Sequence, residues 1–173
     1  MVYCRATKFG SVNELWNLPD YNVAGLLTHN MVFATMLFRR DDWRAVGGHD
    51  IEMLHGREDH DFVLKLAGLG RTAHRLEGVY FHYRQHGLAS VNRIGGEDRR
   101  KRATAHASML RNNSGLYLEH AEDFWFNYFN DIQEANKIRM RYAFLEKLRA
   151  KSPRVARLLN RRVIALKKLF SRS

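Results

Sequence analysis

Residues 58–83, EDHDFVLKLAGLGRTAHRLEGVYFHY, carry the pattern that decides the predicted fold. Apolar residues recur at helical spacing from Phe62 to Leu69 and are followed by Gly70, which predicts a helix over 58–69. Between residues 71 and 83 apolar and polar residues alternate, which indicates an extended edge strand. An apolar, β-compatible run at 31–38 predicts a buried strand before the helix. The three segments together predict a strand–helix–strand frame of the α/β class.

The flanking segments complete this outline. Residues 1–30 are rich in turn formers and predict loops. Asp41 or Asp42 is expected to cap a short helix that Gly47-Gly48 would end. Beyond residue 96 the helical pattern dominates, with helices predicted over 98–111, 119–130, 134–149 and 154–170 and breaks at Gly115 and Pro153. We therefore predict two parts, an α/β part over 1–96 and a helical extension over 97–173.

Length and composition limit the classes of protein to consider. A chain of 173 residues can bury one sizeable core. A single cysteine, Cys4, cannot form an internal disulfide, which fits a reducing compartment. The sequence shows neither an apolar run long enough to cross a bilayer nor the pattern of a signal peptide. The expected protein is soluble and cytoplasmic.

The positive charge lies almost entirely in the second half of the chain. Residues 1–96 contain 11 Lys and Arg against 10 Asp and Glu, whereas residues 97–173 contain 18 against 8. This distribution predicts a nearly neutral chemical module with a cationic extension.

Several short motifs follow one another in a characteristic order. They are Leu37-Phe38-Arg39-Arg40, Val46-Gly47-Gly48-His49-Asp50, Gly56-Arg57-Glu58-Asp59-His60-Asp61-Phe62, and Tyr83-Arg84-Gln85-His86 with Ser90. In these motifs the chain resembles family 2 glycosyltransferases of the GT-A type, from about Val2 to Tyr117. The resemblance implies the C-terminal, acceptor-side half of the GT-A fold. It also implies an enzyme that moves a sugar from a nucleotide-diphosphate donor to a glycan or lipid-linked acceptor, with inversion, as in polysaccharide biosynthesis.

The acidic motif is the one that would carry the chemistry. Sugar transfer needs a base that takes the proton from the attacking hydroxyl, and a carboxylate held at a helix start in a cleft suits that role. By the resemblance, Asp59 is the base and Glu58 binds or orients the acceptor. The alternative is that Glu58, Asp59 and Asp61 simply complement the dipole at a helix N-terminus.

The leaving diphosphate needs positive charge beside it. The resemblance implies that Arg84 and Ser90 bind the phosphates. It makes His86 a ligand of a divalent metal, Mn²⁺ or Mg²⁺, or a direct diphosphate contact. Gly47 and Gly48 permit either a close approach of the backbone to the sugar or a plain helix end. A structural zinc site at His82 and His86 is disfavoured, because that spacing does not converge in a strand and loop.

The donor-binding half of such an enzyme, with its metal-binding Asp-x-Asp, has no counterpart in the sequence. Asp59-His60-Asp61 spells the motif but begins a helix without an apolar strand before it, so we reject it as that site. The chain is therefore expected to be a split or truncated enzyme, a part of a longer one, or a degenerate relative that only binds. Its expected partner is a separate nucleotide-binding half or, alternatively, a second copy that pairs with an exposed sheet edge.

The basic residues of the last predicted helix, 154–170, surround an apolar stripe. Such a helix can lie on an anionic membrane surface, which would place the protein at the inner face of the membrane. Alternatively the stripe packs on the body of the protein or on a second subunit. A non-catalytic basic module that binds membrane or nucleic acid is the competing reading. Nucleic acid is the less favoured partner, because no nucleic-acid-binding signature accompanies the charge.

Overall fold

A computed structural model describes residues 1–85 and 98–151 of the chain, without the side chains of residues 148 and 149. The described strands are β1 (Val2–Gly10), β2 (Glu14–Trp16) and β3 (His74–Gln85). The described helices are α1 (Val23–Leu26), α2 (Arg40–Ala45), α3 (Glu58–Gly68), α4 (Arg99–Asn112), α5 (Ser114–Glu119) and α6 (Ala121–Lys151). The α/β class predicted from the sequence is confirmed at this level.

The strands form a three-stranded sheet in the order β2-β1-β3. β1 and β2 are antiparallel, with Ala6 opposite Trp16. β1 and β3 are parallel, in a register that begins at Val2 opposite His74 and ends at Gly10 opposite Gln85. Parallel neighbours require a crossover connection, and α1, α2 and α3 lie within it. The predicted position of β3 at a sheet edge therefore agrees with the described sheet.

Helix α3 supplies the centre of the hydrophobic core. Phe62, Val63, Leu64 and Leu66 are each at most 1% exposed and belong to one cluster with residues of β1, α1 and α4. Burial of one such side chain stabilises the fold by roughly 1.5–3 kcal/mol. The helix ends at Gly68, and Gly70 has φ 72°. The predicted helix over 58–69 is thus confirmed to within one residue.

The N-terminal segment differs from its prediction. Residues 1–30 were expected to be loops, but β1 and β2 lie there, with Tyr3 and Ala6 buried. The register of β1 against β3 shifts between Cys4 and Arg5 and again between Arg5 and Ala6. The extra residues of both irregularities lie in β3, whereas the buried Tyr3 and Ala6 of β1 are three positions apart and so break the alternation that identifies a strand in a sequence.

The predicted strand over 31–38 is also wrong. Met31, Val32, Phe33 and Met36 are buried as expected, but they fill the core from an irregular segment. A turn closes there, with the Met36 amide donating to the Phe33 carbonyl at 3.0 Å. Leu37 alone in this segment pairs with β1, through two backbone hydrogen bonds to Val2 at 2.9 and 2.8 Å. A short apolar run indicates burial without fixing the backbone conformation.

The capping prediction for α2 is wrong as well. The N-cap residue is Arg39, and Asp41 and Asp42 lie in the first turn of the helix. Asp42 is 9% exposed and pairs with Arg71, whose Nε and Nη2 lie 2.9 and 2.8 Å from its Oδ1. Asp42 therefore ties α2 to the connection between α3 and β3.

Between residues 98 and 151 the helices are divided differently from the prediction. Helix α4 begins after Asp98, whose carboxylate caps it, in agreement with the prediction. The predicted helices over 119–130 and 134–149 are one helix, α6, and Gly115 lies inside α5. The chain divides into two compact units, Met1–Asn127 and Tyr128–Ser173, and α4 and α5 contact α3 within the first. The predicted boundary at residue 96 and the basic helix over 154–170 lie outside the described residues.

Candidate functional site

The predicted acidic motif lies in the first turn of α3. Arg57, the N-cap residue, has φ 76° and follows Gly56 at φ 83°. Within residues 1–85 and 98–151, Arg57 is the one non-glycine residue with a positive φ. The backbone therefore turns sharply into the helix, at some conformational cost. Three carboxylates follow in the first turn, where negative charge complements the helix dipole.

Asp59 is held in one orientation by a hydrogen bond on each carboxylate oxygen. Its Oδ2 accepts from Nδ2 of Asn30 at 2.9 Å, and its Oδ1 accepts from the amide of His60 at 2.8 Å. Asn30 is fixed in turn, because its Oδ1 accepts from the amide of Val32 at 3.2 Å. The side chain of Asp59 remains partly exposed. Asp59 is thus a positioned carboxylate that a ligand can reach. Compensation of the helix dipole alone would not require this fixed orientation.

Asn30 is the residue that the sequence prediction underrated. The sequence motifs give it no catalytic role. The structure makes it the amide that orients Asp59, from a segment 29 positions earlier in the chain. Its place directly before the buried segment 31–36 gave a weak signal, since a polar residue there must find a partner.

Asp61 has a different environment, although it belongs to the same motif. It is fully buried, and its Oδ1 accepts from Nδ2 of Asn113 at 2.8 Å and of Asn112 at 3.2 Å. Its Oδ2 lies 2.9 Å from Nζ of Lys65 as an ion pair, without the alignment of a hydrogen bond. Asp61 therefore holds the α4–α5 junction against α3. It is a structural carboxylate, out of reach of a substrate.

His60 lies between these two aspartates in the sequence. It is completely buried, and its Nε2 donates to the carbonyl of Leu26 at 2.6 Å, so Nε2 carries the proton. Burial, and then the nearby charges of Arg57, His106 and His29, lower the pKa of His60 to about 4 despite its hydrogen bond to Leu26. Burial likewise lowers the pKa of His106, which approaches from α4. A neutral His60 is thus part of the core behind Asp59.

The other residues predicted around the acceptor lie at the start of α3 and just after the end of α2. Glu58 is exposed, as a residue that binds acceptor hydroxyls must be. Gly47 and Gly48 have φ 74° and 72° and end α2, so the helix-end reading describes their backbone. A Cβ on Gly48 would lie 2.8 Å from the indole of Trp43, whereas nothing lies within 4 Å of that position on Gly47. Gly48 therefore permits a close approach of the indole, and the predicted contact of both glycines with a sugar stays a prediction.

The residues predicted to bind the diphosphate lie at and beyond the end of β3. Arg84 is exposed, and its guanidinium lies 5.2 Å from the centre of the Phe9 ring, directly across the β1–β3 ladder. The end of the strand is fixed by Ser11, whose amide donates to the carbonyl of Gln85 at 3.2 Å. His86 and Ser90 lie outside the described residues.

The described residues offer positioned, reachable carboxylates at Asp59, with Glu58 beside it, and at Asp50. They contain no group of three or more His, Cys, Asp or Glu side chains that could hold a metal ion. Asp59 and Asp61 turn toward different partners, Asn30 and Asn113. No family model, no curated protein and no solved structure matches this chain.

Proposed function

We propose that this chain is the acceptor-side half of a GT-A type glycosyltransferase and that Asp59 is its general base. The observation that carries the proposal is the contrast between Asp59 and Asp61. Both belong to the motif, yet Asp59 is oriented by Asn30 and reachable, whereas Asp61 is buried, pairs with Lys65 and accepts at Oδ1 from Asn112 and Asn113. A base must combine fixed orientation with access to the proton that it removes. Asp59 meets both conditions.

The proposed reaction is a displacement at the anomeric carbon of the donor sugar. The acceptor hydroxyl oxygen forms the new bond to that carbon while its proton passes to a carboxylate oxygen of Asp59. The bond between the anomeric carbon and the diphosphate oxygen breaks, and its electron pair leaves with the nucleoside diphosphate. Glu58, exposed at the preceding position, hydrogen-bonds other hydroxyls of the acceptor. General-base catalysis of this kind contributes about 10²–10⁴-fold to the rate.

The topology supports a shared cleft for Asp59 and the end of β3. Only residues 69–73 separate α3 from β3, so the strand starts near the end of the helix and runs back along it. The first turn of α3 is then expected on the same side of the core as the ends of β1 and β3. Ligands of α/β proteins bind at that edge of a parallel sheet. Arg84 lies there, and in this proposal its guanidinium leaves the Phe9 ring to contact the diphosphate.

A divalent metal remains an expectation of the family resemblance. The described residues supply no set of ligands for it, and the predicted ligand His86 lies outside them. The proposed proton transfer itself does not depend on a metal ion. The proton transfer to Asp59 depends on groups that the described residues contain.

Thermal unfolding of the full chain with ligands tests this proposal. We expect uridine diphosphate-sugars with Mn²⁺, but not a DNA duplex at equal phosphate concentration, to raise Tm. Asp59→Asn should keep that nucleotide response, and it should abolish sugar transfer in a preparation that supplies the donor-binding half. Glu58→Gln, the matched neighbour, should mainly raise KM for the acceptor. A chain that ignores every nucleotide-sugar, or an Asp59→Asn variant with full transfer activity, would contradict the proposal.

A membrane-surface role is the second candidate, and exposed apolar residues together with the basic C-terminal part of α6 favour it. On α6, Phe126, Met140, Tyr142 and Phe144 are 60–74% exposed, and Lys and Arg recur between residues 137 and 151. Aromatic side chains and basic residues together suit the headgroup region of an anionic bilayer. No described helix is both long and apolar enough to span the membrane. The expected mode is surface binding.

Co-sedimentation with lipid vesicles tests the second candidate. We expect binding to vesicles with 30% phosphatidylserine in about 50 mM salt and its loss at about 500 mM, where the screening length falls to a few Å. Vesicles of neutral lipid are the control. Binding to anionic vesicles together with indifference to nucleotide would favour a non-catalytic basic module. Equal binding to neutral vesicles would contradict the electrostatic mechanism.

A further inference from the structure

The loop over residues 49–57, which leads into the first turn of α3, presents two aliphatic side chains to solvent. Ile51 is 90% exposed and Leu54 is 82% exposed. Among the large hydrophobic residues that the structure describes, no other is as exposed as these two. Leu54 lies four positions before Glu58, so the loop borders the carboxylates of the proposed acceptor site.

The backbone of this loop is anchored on both sides of its exposed residues. Asp50 accepts through Oδ1 from the amide of Glu52 at 2.9 Å and through Oδ2 from Nδ2 of Asn112 at 2.7 Å. Met53, between the two exposed side chains, is 7% exposed and belongs to the core. Asn112 is the last residue of α4, so the loop is fixed to that helix as well as to the core. Exposed apolar side chains on such a fixed loop indicate a binding surface for a protein or a membrane.

The start of α4 supplies positive charge next to this loop. Its first four residues are all basic and exposed, namely Arg99, Arg100, Lys101 and Arg102. The amide of Lys101 lowers the pKa of Asp98 most, and the charge of His55, in the loop, adds to that shift. Burial lowers the pKa of His106 in α4, and the charges of Arg57 and Arg102 add to that lowering. The loop and the basic turn are therefore electrostatic neighbours.

The charges of the loop and of the basic turn decide which partner fits. Residues 98–102 carry four basic side chains against Asp98, a net charge of +3. Residues 49–57 carry Arg57 against Asp50 and Glu52, a net charge of −1, so the two segments together carry +2. Aliphatic side chains beside clustered Lys and Arg suit the headgroup region of an anionic bilayer, where the apolar groups leave water and the cations meet lipid phosphates.

We propose that this loop and the start of α4 form a membrane-docking surface that brings Asp59 to the lipid headgroups, where it acts on a lipid-linked acceptor. Ile51 and Leu54 enter between the headgroups, and residues 99–102 contact the lipid phosphates. The choice of a lipid-linked acceptor rests on the proposed sugar transfer, whereas the docking itself does not. The surface shares no residue with α6, the helix of the second candidate function.

A fluorophore on the loop of the full chain reports insertion directly. Cys4 is the one cysteine of the sequence, so Cys4→Ser together with Leu54→Cys allows a single nitrobenzoxadiazole label at position 54. Phosphatidylcholine vesicles with about 30% phosphatidylserine should raise its emission and shift it to shorter wavelength. Nitroxide groups on the acyl chains should quench it. The matched control is Leu118→Cys, at a 77% exposed leucine of α5, whose label should not respond.

Co-sedimentation of unlabelled variants with the same vesicles measures each contribution. Ile51→Ser with Leu54→Ser should weaken binding about tenfold, because two aliphatic side chains no longer leave water. Arg99→Gln with Arg100→Gln should weaken it about tenfold at low salt and reduce its salt dependence. Leu118→Ser should leave binding unchanged. Because all these side chains are exposed, each variant is expected to keep its Tm.

The outcomes separate this surface from the proposed sugar transfer. An unresponsive label at position 54 on vesicle-bound protein would overturn the proposal, because the chain would then dock by another surface. Absence of vesicle binding, or an equal response of the label at position 118, would overturn it as well. Insertion at position 54 by a chain that ignores nucleotide-sugars would support the docking surface and remove sugar transfer. A nucleotide response without insertion would overturn the docking surface alone.

Discussion

Asp59 and Asp61 lie in one helical turn, yet their hydrogen bonds give them different tasks. Asp61 is fully buried, accepts from Asn112 and Asn113 and pairs with Lys65, whereas Asp59 is partly exposed and accepts from Asn30. Loss of the charge of Asp61 should therefore lower stability, whereas loss of the charge of Asp59 should impair catalysis.

We expect Asp61→Asn to lower the free energy of unfolding by about 3 kcal/mol, because an amide would face amide donors and leave Lys65 without its partner. Asp59→Asn, the matched change two positions earlier, should cost less than about 1 kcal/mol, since its side chain is partly exposed. Urea unfolding of both variants measures the difference. Equal losses would contradict the distinction between a structural and a functional carboxylate.

His60 predicts how acid affects the fold. Its folded pKa is about 4 and its ordinary value is 6.5, so only the unfolded chain binds this proton between those pH values. The stabilising effect of neutral His60 is complete above pH 6.5 and is lost as the pH falls toward 4. The slope from this residue approaches about 1.4 kcal/mol per pH unit.

The variant His60→Gln tests this dependence, because its amide can still donate to the Leu26 carbonyl but does not titrate. The free energy of unfolding, measured from pH 7 to 4, should fall less steeply in the variant. The two slopes should differ by about 1.4 kcal/mol per pH unit, which corresponds to one proton. His106, whose pKa is also lowered, leaves a residual slope in both proteins. An unchanged slope in His60→Gln would show that His60 is not the group responsible.

At the scale of elements, the end of α2 depends on two glycines that differ in their surroundings. Both have positive φ, but the Trp43 indole leaves no room for a Cβ on Gly48, and Gly47 faces open space. Gly47→Ala should cost about 1 kcal/mol for its backbone conformation alone. Gly48→Ala should cost clearly more, because the indole must also move. Thermal unfolding of the pair decides this, and equal costs would mean that Trp43 moves aside freely.

The elements also show why the sequence predicted some of the fold and missed the rest. Helix α3 was predictable because its apolar spacing, its acidic start and Gly70 are all local signals. Strand β1 was missed because its buried residues, Tyr3 and Ala6, are three positions apart and do not alternate, and 31–38 was mistaken for a strand because burial alone does not specify conformation. In the site, Asp59 was predictable from its motif. Asn30 was not, because a hydrogen bond across 29 positions leaves no periodic pattern.

For the whole molecule, the charge balance is a destabilising factor that salt should relieve. The net charge is +11 at neutral pH, and protonation of exposed members of the nine histidines raises it further in acid. Like charges repel across the folded surface, and salt screens that repulsion. Raising NaCl from about 50 to about 500 mM should therefore increase Tm more at pH 5.5 than at pH 8. Calorimetry at the two pH values checks it, and an equal or smaller gain at pH 5.5 would contradict it.

The parallel pairing of β1 with β3 has a consequence for the order of folding. Val2 pairs with His74, so β1 can meet its long neighbour β3 only after the chain between them has been synthesised. Until then β2 can pair with one edge of β1 as a hairpin, while the other edge of β1 has no partner strand. Contacts so distant in sequence form slowly, and an unpaired strand edge is prone to aggregate. For a nascent chain, this interval before β3 arrives is the period of greatest risk.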